Sequence, residues 1–302
     1  MDIRTGYADS NGISMYYEDM GELDNPVIFL VCGMSVQLIH WPNEFCRLLV
    51  KEGYRVIRFD NREAGLTSRS DVKAMPPVVK SFIRYNLGKK VHAEYDLDTL
   101  VTDAVGLLDA LSIKKAHWVG FSMGGMICQL AAAKHQQRFL SLTSIMSTTN
   151  ERKLPGPRLG VLLALIKPPK NRTEKAIVAV TVNVLNKLQS PKYRVHQDVL
   201  EAHTIKANAR ARRPMAAPMH QMAILATGGF SHRLHTITAP TLVIHGDSDP
   251  LVRVEGGRHS ARSIPGASLK IIPGMGHDFP PGLIGEITGL ITTHVGKVET
   301  VA

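Results

Sequence analysis

Short apolar runs alternate with helix-period segments along most of the chain. A continuous apolar run occurs at 27–32 (VIFLVC), a pattern typical of a strand buried on both faces, and further strands are predicted at 116–121 (AHWVGF) and 241–245 (TLVIH). Between them, segments such as 97–113 place apolar side chains at helical spacing. Strands separated by helices of this length form βαβ units, so the pattern predicts an α/β fold with a mostly parallel sheet and helices on both faces.

The remaining elements follow from the same periodicities. Asn11-Gly12 joins two alternating segments, 3–9 and 13–19, and this dipeptide favours the turn of a tight hairpin. The chain should therefore open with an antiparallel pair of strands. The other predicted strands are 54–60, 139–147 and 268–273, and the other predicted helices are 42–51, 126–135, 254–263 and 281–294.

The alternation stops between residues 150 and 238. This stretch holds seven prolines between short helical pieces and no convincing strand. An irregular helical insertion at this point predicts a cap over the carboxyl end of the sheet, where α/β folds bind ligands. We expect a core made of residues 1–149 and 239–302, and a helical cap made of residues 150–238.

A serine between glycines, in GFSMGG at 120–125, follows a buried strand and precedes a helix. This is the context of a nucleophile elbow, in which Gly120 and Gly124 make room for a strained Ser122. The amino end of the helix behind the serine also favours negative charge. A phosphate-binding turn has similar geometry, but the GK[ST] ending of a P-loop is missing. We interpret Ser122 as a nucleophile.

A serine nucleophile needs a histidine base that an acid holds in place. In this type of fold the chain order is serine, acid, histidine. Asp249 in HGDSDP and His277 in GMGHDF follow the last two predicted strands, so three strand ends bring these residues to one edge of the sheet. Asp247 competes for the acid role, and Asp249 is favoured because it lies further from its strand. Alternatively, Asp249 is a turn residue before Pro250 and His277 a surface residue of a glycine-rich loop.

Ester hydrolysis passes through a tetrahedral oxyanion that two backbone N–H groups would bind. One donor is expected from Met123, which follows the nucleophile, and the other from Met34 in the loop after the strand at 27–32. Because the backbone donates, we expect the methionine side chains to shape the acyl pocket instead.

The composition indicates the cellular location of the protein and the state of its cysteines. The 302 residues are 44% hydrophobic and 21% charged, as in soluble globular proteins. The polar amino terminus lacks the apolar stretch of a secretory signal, and the apolar run at 159–166 is far shorter than the roughly 20 residues that span a bilayer. We expect a cytoplasmic protein with no membrane span. Cys32, Cys46 and Cys128 predict reduced, buried thiols, and the scattered histidines imply no metal site.

The net charge of +10 is unevenly distributed. Residues 151–238 contain fifteen Lys and Arg against four Asp and Glu. Such asymmetry is compatible with an anionic partner, such as nucleic acid or a lipid surface. The favoured interpretation is a solvated helical surface without a nucleic-acid partner, because the basic residues are spread out and no set of aromatics accompanies them. Surface or pocket-lining roles are expected for the histidines of this stretch, His196, His203, His220, His232 and His235.

With these residues placed, the chain resembles the α/β-hydrolase fold family over nearly its whole length. The matching motifs are VCGMS, FDNREAGLTS, DAVGLLDAL, VGFSMGG, LVIHGDSDPLV and IPGMGHDFP. VCGM, WPNEF and RFDNREAGLTS are similar to the esterase branch that includes aclacinomycin methylesterase. The resemblance implies a Ser122–His277–Asp249 triad, an oxyanion hole from Met34 and Met123, and ester hydrolysis without a cofactor.

Two positions depart from the usual motifs of that family. Cys32-Gly33 stands where His-Gly is usual, which removes a side chain that commonly braces the oxyanion loop, and the loop at 62–65 reads REAG where R-G-x-G is usual. We expect a serine carboxylic ester hydrolase that acts through an acyl-enzyme on small to medium esters. The alternatives are a related triad hydrolase (lactonase, carbon–carbon bond hydrolase or cofactor-free perhydrolase) and a non-catalytic ligand-binding relative. No motif specifies the oligomeric state or the natural substrate.

Overall fold

The computed structural model describes residues 2–69, 74–171 and 173–300. Its eight strands are β1 (Ile3–Ser10), β2 (Ile13–Met20), β3 (Val27–Val31), β4 (Arg55–Phe59), β5 (Ala116–Phe121), β6 (Phe139–Ile145), β7 (Thr241–Gly246) and β8 (Ser268–Ile272). They form one sheet in the order β1-β2-β4-β3-β5-β6-β7-β8. The hairpin β1–β2 and the pair β2–β4 are antiparallel, and every other pair is parallel. The predicted mostly parallel sheet is confirmed.

Within the residues that the structure describes, ten α-helices accompany the sheet. They are α1 (Asn43–Lys51), α2 (Val78–Asn86), α3 (Leu97–Ala110), α4 (Met123–Lys134), α5 (Leu159–Ile166), α6 (Glu174–Leu188), α7 (Gln197–Arg210), α8 (Ala216–Thr227), α9 (Val254–Ser263) and α10 (Pro281–Glu299). Within the described residues, no helix combines the length and apolar character needed to cross a bilayer.

The sheet has a hydrophobic core on each face. Phe29 and Trp118 belong to the cluster that contains the apolar side chains of α3 and α4. Ile28 and Leu30, the neighbours of Phe29 in β3, belong to the opposite cluster with side chains of α1 and α10. Successive side chains of a strand point to opposite faces, so a strand covered on both faces is apolar throughout. This explains why β3 appears in the sequence as an unbroken apolar run.

Several elements differ from the sequence prediction: the helix predicted at 97–113 ends at Ala110, and the strands predicted at 54–60 and 139–147 are shorter. Three further differences concern α4, α10 and α2. Helix α4 begins at Met123 instead of residue 126, because Gly124 lets its first turn lie directly against β3: a Cβ there would be 2.2 Å from the Val31 carbonyl oxygen. Helix α10 continues beyond residue 294, with Val295 fully buried. Helix α2 was not predicted, and its only buried residue is Ser81, so it has no apolar buried face for the sequence to reveal.

The insertion between β6 and β7 is helical. It contains α5 to α8, and no strand lies between residues 146 and 240 in the part of the chain that the structure describes. Helix α5 packs against α6 and α6 against α7, whereas α8 packs against α2 and α3. Met219 and Ala223 of α8 join the core cluster that covers one face of the sheet. Through α8, the insertion thus contributes apolar side chains to the core beside the sheet.

Candidate active site

Ser122 occupies a strained turn between β5 and α4. Its φ of +54° and ψ of −124° lie in a backbone region that side-chain-bearing residues rarely adopt. Strand β6 and the residues after it hold this conformation: the Ser122 N–H donates to the Ile145 carbonyl at 2.9 Å, and its carbonyl accepts from Ser147 Oγ at 2.7 Å. The strand–turn–helix context predicted for an elbow is present at this serine.

Glycines around the turn allow close backbone approach. A Cβ at Gly120 would lie 2.3 Å from the Gly124 carbonyl oxygen, so a side chain there would push α4 away from β5. A Cβ at Gly33 would lie 2.7 Å from the Phe121 ring and 3.2 Å from Ser122 Cβ. The backbone of the loop after β3 therefore passes directly beside the serine.

His277 and Asp249 complete a chain of hydrogen bonds that begins at Ser122. His277 Nδ1 lies 2.7 Å from Asp249 Oδ2, and His277 Nε2 lies 3.0 Å from Ser122 Oγ. A neutral imidazole that donates from Nδ1 to a carboxylate has Nε2 free to accept from a hydroxyl. The arrangement can therefore transfer the serine proton to the imidazole.

Asp249 is buried yet carries its charge. Its Oδ1 accepts the backbone N–H groups of Leu251 and Val252, each at 2.9 Å. Burial alone would raise the pKa of Asp249, but the His277 and His245 imidazoles favour the carboxylate, and the net pKa lies well below its usual range. Asp249 is therefore ionised at neutral pH and can hold the proton of the His277 imidazole on Nδ1.

His245 is a neighbour of the acid that sequence reasoning did not single out. It is fully buried on β7, with Nε2 3.4 Å from Asp249 Oδ2 and 2.8 Å from the Val252 carbonyl oxygen. Its sequence position, immediately before Gly246 and Asp247 in IHGDSD, was the available indication.

Asp247, the competing acid, faces another part of the loop. Its Oδ1 accepts the Gly274 N–H at 2.7 Å and the Ser248 hydroxyl at 2.8 Å. These bonds join the end of β7 to the turn after β8. The structure brings Asp249, and not Asp247, to His277.

The end of α6 holds the loop that carries the histidine. The His277 N–H donates to the Leu188 carbonyl at 2.8 Å, and the Gly276 N–H donates to Ser190 Oγ at 2.8 Å. The Ser190 hydroxyl in turn donates to Asp278 Oδ1 at 2.5 Å. The helical insertion thus holds the loop that positions the His277 imidazole. These contacts join segments that are far apart in sequence.

The two predicted oxyanion donors border the same turn. Met123 is the first residue of α4, directly after Ser122, with a side chain that is almost fully buried. Met34 follows Gly33 and packs against the apolar cluster formed with α3 and α4. Their positions agree with loops that converge on Ser122, and their role stays a prediction.

His220 corrects the expectation that the insertion histidines lie at the surface or line a pocket. It is fully buried on α8, where its Nδ1 accepts the Ser35 N–H at 2.9 Å. Since Nδ1 accepts, Nε2 carries the proton and donates to the Arg62 carbonyl at 2.6 Å. Burial lowers the pKa of His220 to about 4, so the ring is neutral at neutral pH. Among the others, His203 is partly buried, and His196, His232 and His235 are exposed.

A parallel sheet with a strained serine at the end of a central strand and an imidazole–carboxylate pair beside it defines a class of hydrolases. A family model described as the alpha/beta hydrolase fold matches residues 25–280. The chain belongs to the α/β-hydrolase fold family.

Individual relatives span almost the whole chain. Rhodomycin D methylesterase DnrP of Streptomyces peucetius is 25% identical, with 93% of this chain and 95% of the relative covered. The bifunctional esterase/perhydrolase DCH of Acinetobacter calcoaceticus is 23% identical, with 91% and 94% covered. The solved meta-cleavage product hydrolase CumD of Pseudomonas fluorescens has a TM-score of 0.73 at 20% identity and covers 97% of each chain. The chain is similar to the methylesterase branch in sequence, and the solved structure shows the fold.

Proposed function

We propose that this α/β-hydrolase is a serine carboxylic ester hydrolase acting on small to medium esters through an acyl-enzyme. The observation that carries the proposal is the continuous hydrogen-bonded chain from Ser122 Oγ through the His277 ring to the Asp249 carboxylate. The methylesterase and esterase/perhydrolase names of the relatives support ester hydrolysis as the reaction.

The first half-reaction forms the acyl-enzyme. Ser122 Oγ attacks the ester carbonyl carbon while its proton passes to His277 Nε2. Asp249 keeps the other imidazole proton on Nδ1 and stabilises the positive ring that results. The negative oxygen of the tetrahedral intermediate would be bound by the N–H groups of Met34 and Met123.

The second half-reaction releases the acid. Before it begins, the tetrahedral intermediate has collapsed: the ester C–O bond has broken and the alcohol has left with the proton from His277 Nε2, which completes the acyl-enzyme of the first half-reaction. Water then attacks the acyl carbon, giving its proton to the same nitrogen, and Ser122 recovers a proton as the carboxylic acid departs. Each step uses only the side chains and amides named, so the proposed reaction needs no cofactor.

The replacement Ser122→Ala tests the proposal. We expect kcat for a short-chain p-nitrophenyl ester to fall by about 10⁴-fold to 10⁶-fold, because no nucleophile remains, while the fold is kept. A fluorophosphonate probe should label the wild type at Ser122 and leave the variant unlabelled. Ser263→Ala on α9 is the matched control and should behave as wild type. Unchanged turnover, or no labelling of the wild type, would overturn the proposal.

Related triad hydrolases remain the second candidate, because one relative is a bifunctional esterase/perhydrolase and the solved neighbour a meta-cleavage product hydrolase. Product analysis on esters, lactones, vinylogous diketones and carboxylic acid plus peroxide distinguishes these reactions. A non-catalytic ligand-binding relative would give no product in any assay and no labelled Ser122.

We also propose residues 150–238 as a cap that selects the substrate. The contacts of α6 with the His277 loop and of α8 with the Ser35 loop support this role. The partner expected at the site is a small-molecule ester.

A further inference from the structure

Helix α5 exposes most of an entirely apolar surface. Its sequence is LGVLLALI, and only Val161 and Ala164 are buried, at 3% and 4% exposure. The remaining large side chains point to solvent, with exposures of 69% for Leu159, 39% for Leu162, 54% for Leu163, 43% for Leu165 and 65% for Ile166. Five large aliphatic side chains on one short helix form a contiguous patch, and such patches mark sites of interaction.

Positively charged residues flank this apolar helix at both ends. Between Glu151 and Glu174 the sequence contains six Lys and Arg and no Asp or Glu. Arg158 directly precedes α5 and Lys167 directly follows it, and both are exposed. Three further basic residues of the segment, Arg152, Lys153 and Lys170, are exposed as well. The patch therefore has a basic rim without compensating acids within its own segment.

Two contacts place the patch close to the candidate active site. The Arg158 N–H donates to the Pro250 carbonyl at 2.8 Å, so α5 begins beside the loop that carries Asp249. Helix α5 packs against α6, whose last residue, Leu188, accepts the His277 N–H. A surface that bound α5 would therefore lie near the loops that carry Asp249 and His277.

The combination of charge and length favours one kind of occupant. A second copy of this chain would bring two basic rims together, which like-charge repulsion opposes. An eight-residue helix is about 12 Å long, too short to cross a bilayer core of about 30 Å but long enough to lie in its interface. Apolar side chains flanked by Lys and Arg match a membrane surface, where acyl chains receive the former and anionic headgroups attract the latter.

We propose that α5 and its basic flanks, Arg158, Lys167 and Lys170, dock this protein reversibly on anionic lipid surfaces. The leucines enter the boundary between headgroups and acyl chains, and the cations remain among the headgroups. Docking does not depend on the proposed catalytic function. It would place the site where amphiphilic esters accumulate.

Sedimentation with vesicles tests the docking. We expect wild-type protein to bind phosphatidylglycerol/phosphatidylcholine vesicles, to bind pure phosphatidylcholine vesicles weakly, and to dissociate as salt rises. Replacing Leu163→Glu together with Ile166→Glu should lower the partition coefficient about tenfold or more, since each change removes an inserted side chain. Leu23→Glu is the matched control, because Leu23 is 56% exposed in the turn before β3, at the opposite edge of the sheet.

Two double variants test the electrostatic contribution to docking. The double variant Lys167→Gln and Lys170→Gln should weaken binding to anionic vesicles by about fivefold per charge. Lys114→Gln with Lys115→Gln, exposed before β5 at the amino edge, should leave binding unchanged. An unchanged far-UV circular dichroism spectrum shows that each variant is folded.

Three outcomes would overturn the docking proposal. One is wild-type protein that fails to bind anionic vesicles at low salt. Another is a Leu163/Ile166 variant that binds as well as the Leu23 control. The third is a wild-type dimer in analytical ultracentrifugation that the Leu163/Ile166 variant abolishes, without vesicle binding, because the patch would then be an interface between copies.

A different observation concerns the loop that carries Met34. His220 bridges two loops at the carboxyl edge of the sheet, accepting from Ser35 and donating to the Arg62 carbonyl. The usual histidine before Gly33 is Cys32 here, and the Cys32 Sγ is 3.6 Å from the Gln37 carbonyl oxygen instead. We infer that His220, from α8, is the positioning residue that orients the oxyanion loop in this protein. This inference rests on the proposed function.

Three replacements separate positioning from a merely structural role. Asn retains an acceptor near the Nδ1 position, Gln places its amide near the Nε2 position, and Ala retains neither. We expect His220→Ala to lower kcat per active site about 10-fold to 100-fold with little change in KM, because the oxyanion donor shifts. His220→Asn should recover most of this loss and His220→Gln little of it.

Active sites are counted by fluorophosphonate labelling, so that unfolded protein does not enter kcat. An unchanged kcat per labelled site in His220→Ala, or equal values for the Asn and Gln variants, would overturn the positioning role. Absence of labelling in the wild type would instead overturn the proposed function.

Discussion

Strand β3 and helix α5 have equally apolar sequences and opposite surroundings. All five residues of β3 (VIFLV) are buried, whereas α5 (LGVLLALI) buries two of its eight. The strand has helices packed on both faces of its sheet, whereas α5 rests on α6 and meets solvent on its other sides. An apolar run therefore predicts burial only where the fold supplies cover on every side.

The sheet and the insertion also contribute differently to the candidate site. Ser122, Asp249 and His277 all follow strands of the sheet. The insertion supplies contacts that hold the neighbouring loops: the Leu188 carbonyl binds the His277 loop, and the His220 imidazole binds the Ser35 loop. The sheet thus carries the candidate site residues, and the insertion contributes contacts that hold their loops.

The largest expected effect is on catalysis by the residues that follow the strands of the sheet. Asp249→Asn should lower kcat for a p-nitrophenyl ester about 10⁴-fold, because an amide cannot keep the His277 imidazole in the required tautomer. Asp247→Asn is the control and should change kcat by less than about tenfold, because Asp247 bonds to the Gly274 turn. Steady-state kinetics of both variants measures this difference, and a greater loss in the Asp247 variant would reverse our assignment of the acid.

Loss of packing beside the sheet should give the next largest effect, on the free energy of unfolding. Trp118 is fully buried in β5, with its ring 4.8 Å from Phe29 and 4.7 Å from Phe139, centroid to centroid. Trp118→Ala should lower the free energy of unfolding by about 3–5 kcal/mol through lost contacts and a cavity. Urea unfolding measures the change, and Trp118→Phe should cost less. A loss below about 1 kcal/mol would mean that the core can collapse around the gap.

Acid should weaken the contact between insertion and sheet. The pKa of His220 is lowered from 6.5 to about 4, so the unfolded chain takes up its proton first as pH falls. The stability that depends on neutral His220 is therefore full above pH 6.5 and is lost between pH 6.5 and 4, by up to about 3 kcal/mol.

His220→Asn removes this titrating group. The stability difference between wild type and variant, measured by urea unfolding, should therefore shrink as pH falls from 6.5 to 4. A difference that is constant with pH would show that His220 does not titrate in this range.

The smallest effect concerns the exposed helix. Leu163→Ala should change the free energy of unfolding by no more than about 0.5 kcal/mol, since the side chain is 54% exposed. Urea unfolding in dilute, lipid-free buffer is the measurement, with Trp118→Ala as the reference. A loss above about 1 kcal/mol would show that α5 is covered in solution and would remove the contrast with β3.

The sheet was predictable because its signal is local. Continuous apolar runs, the Asn11-Gly12 turn and helical periodicity each lie within a few residues of one another, and the strands they predicted are present. The serine, acid and histidine were identified because each follows a strand within a short motif. Their geometry agrees with that assignment, and their catalytic roles stay predictions.

What sequence reasoning missed depends on distant contacts or on exposure. His220 and Ser35 are 185 positions apart, so no local pattern could connect them. Helix α2 directs Val79 and Ile83 to solvent, so its apolar residues mark no buried face. The apolar run of α5 is visible in the sequence, but its exposure is not, because exposure depends on which elements pack against the helix.

The placement of β7 and β8 after the insertion has a consequence for protein synthesis. Ser122 and His277 are 155 positions apart, with all of α5 to α8 between them. At about 5–20 residues per second, a ribosome needs roughly 8 to 30 s to progress from the serine to the histidine. During that interval the nascent chain holds a serine without its base. The order of the strands thus delays assembly of the candidate site until β8 and the loop after it have been synthesised.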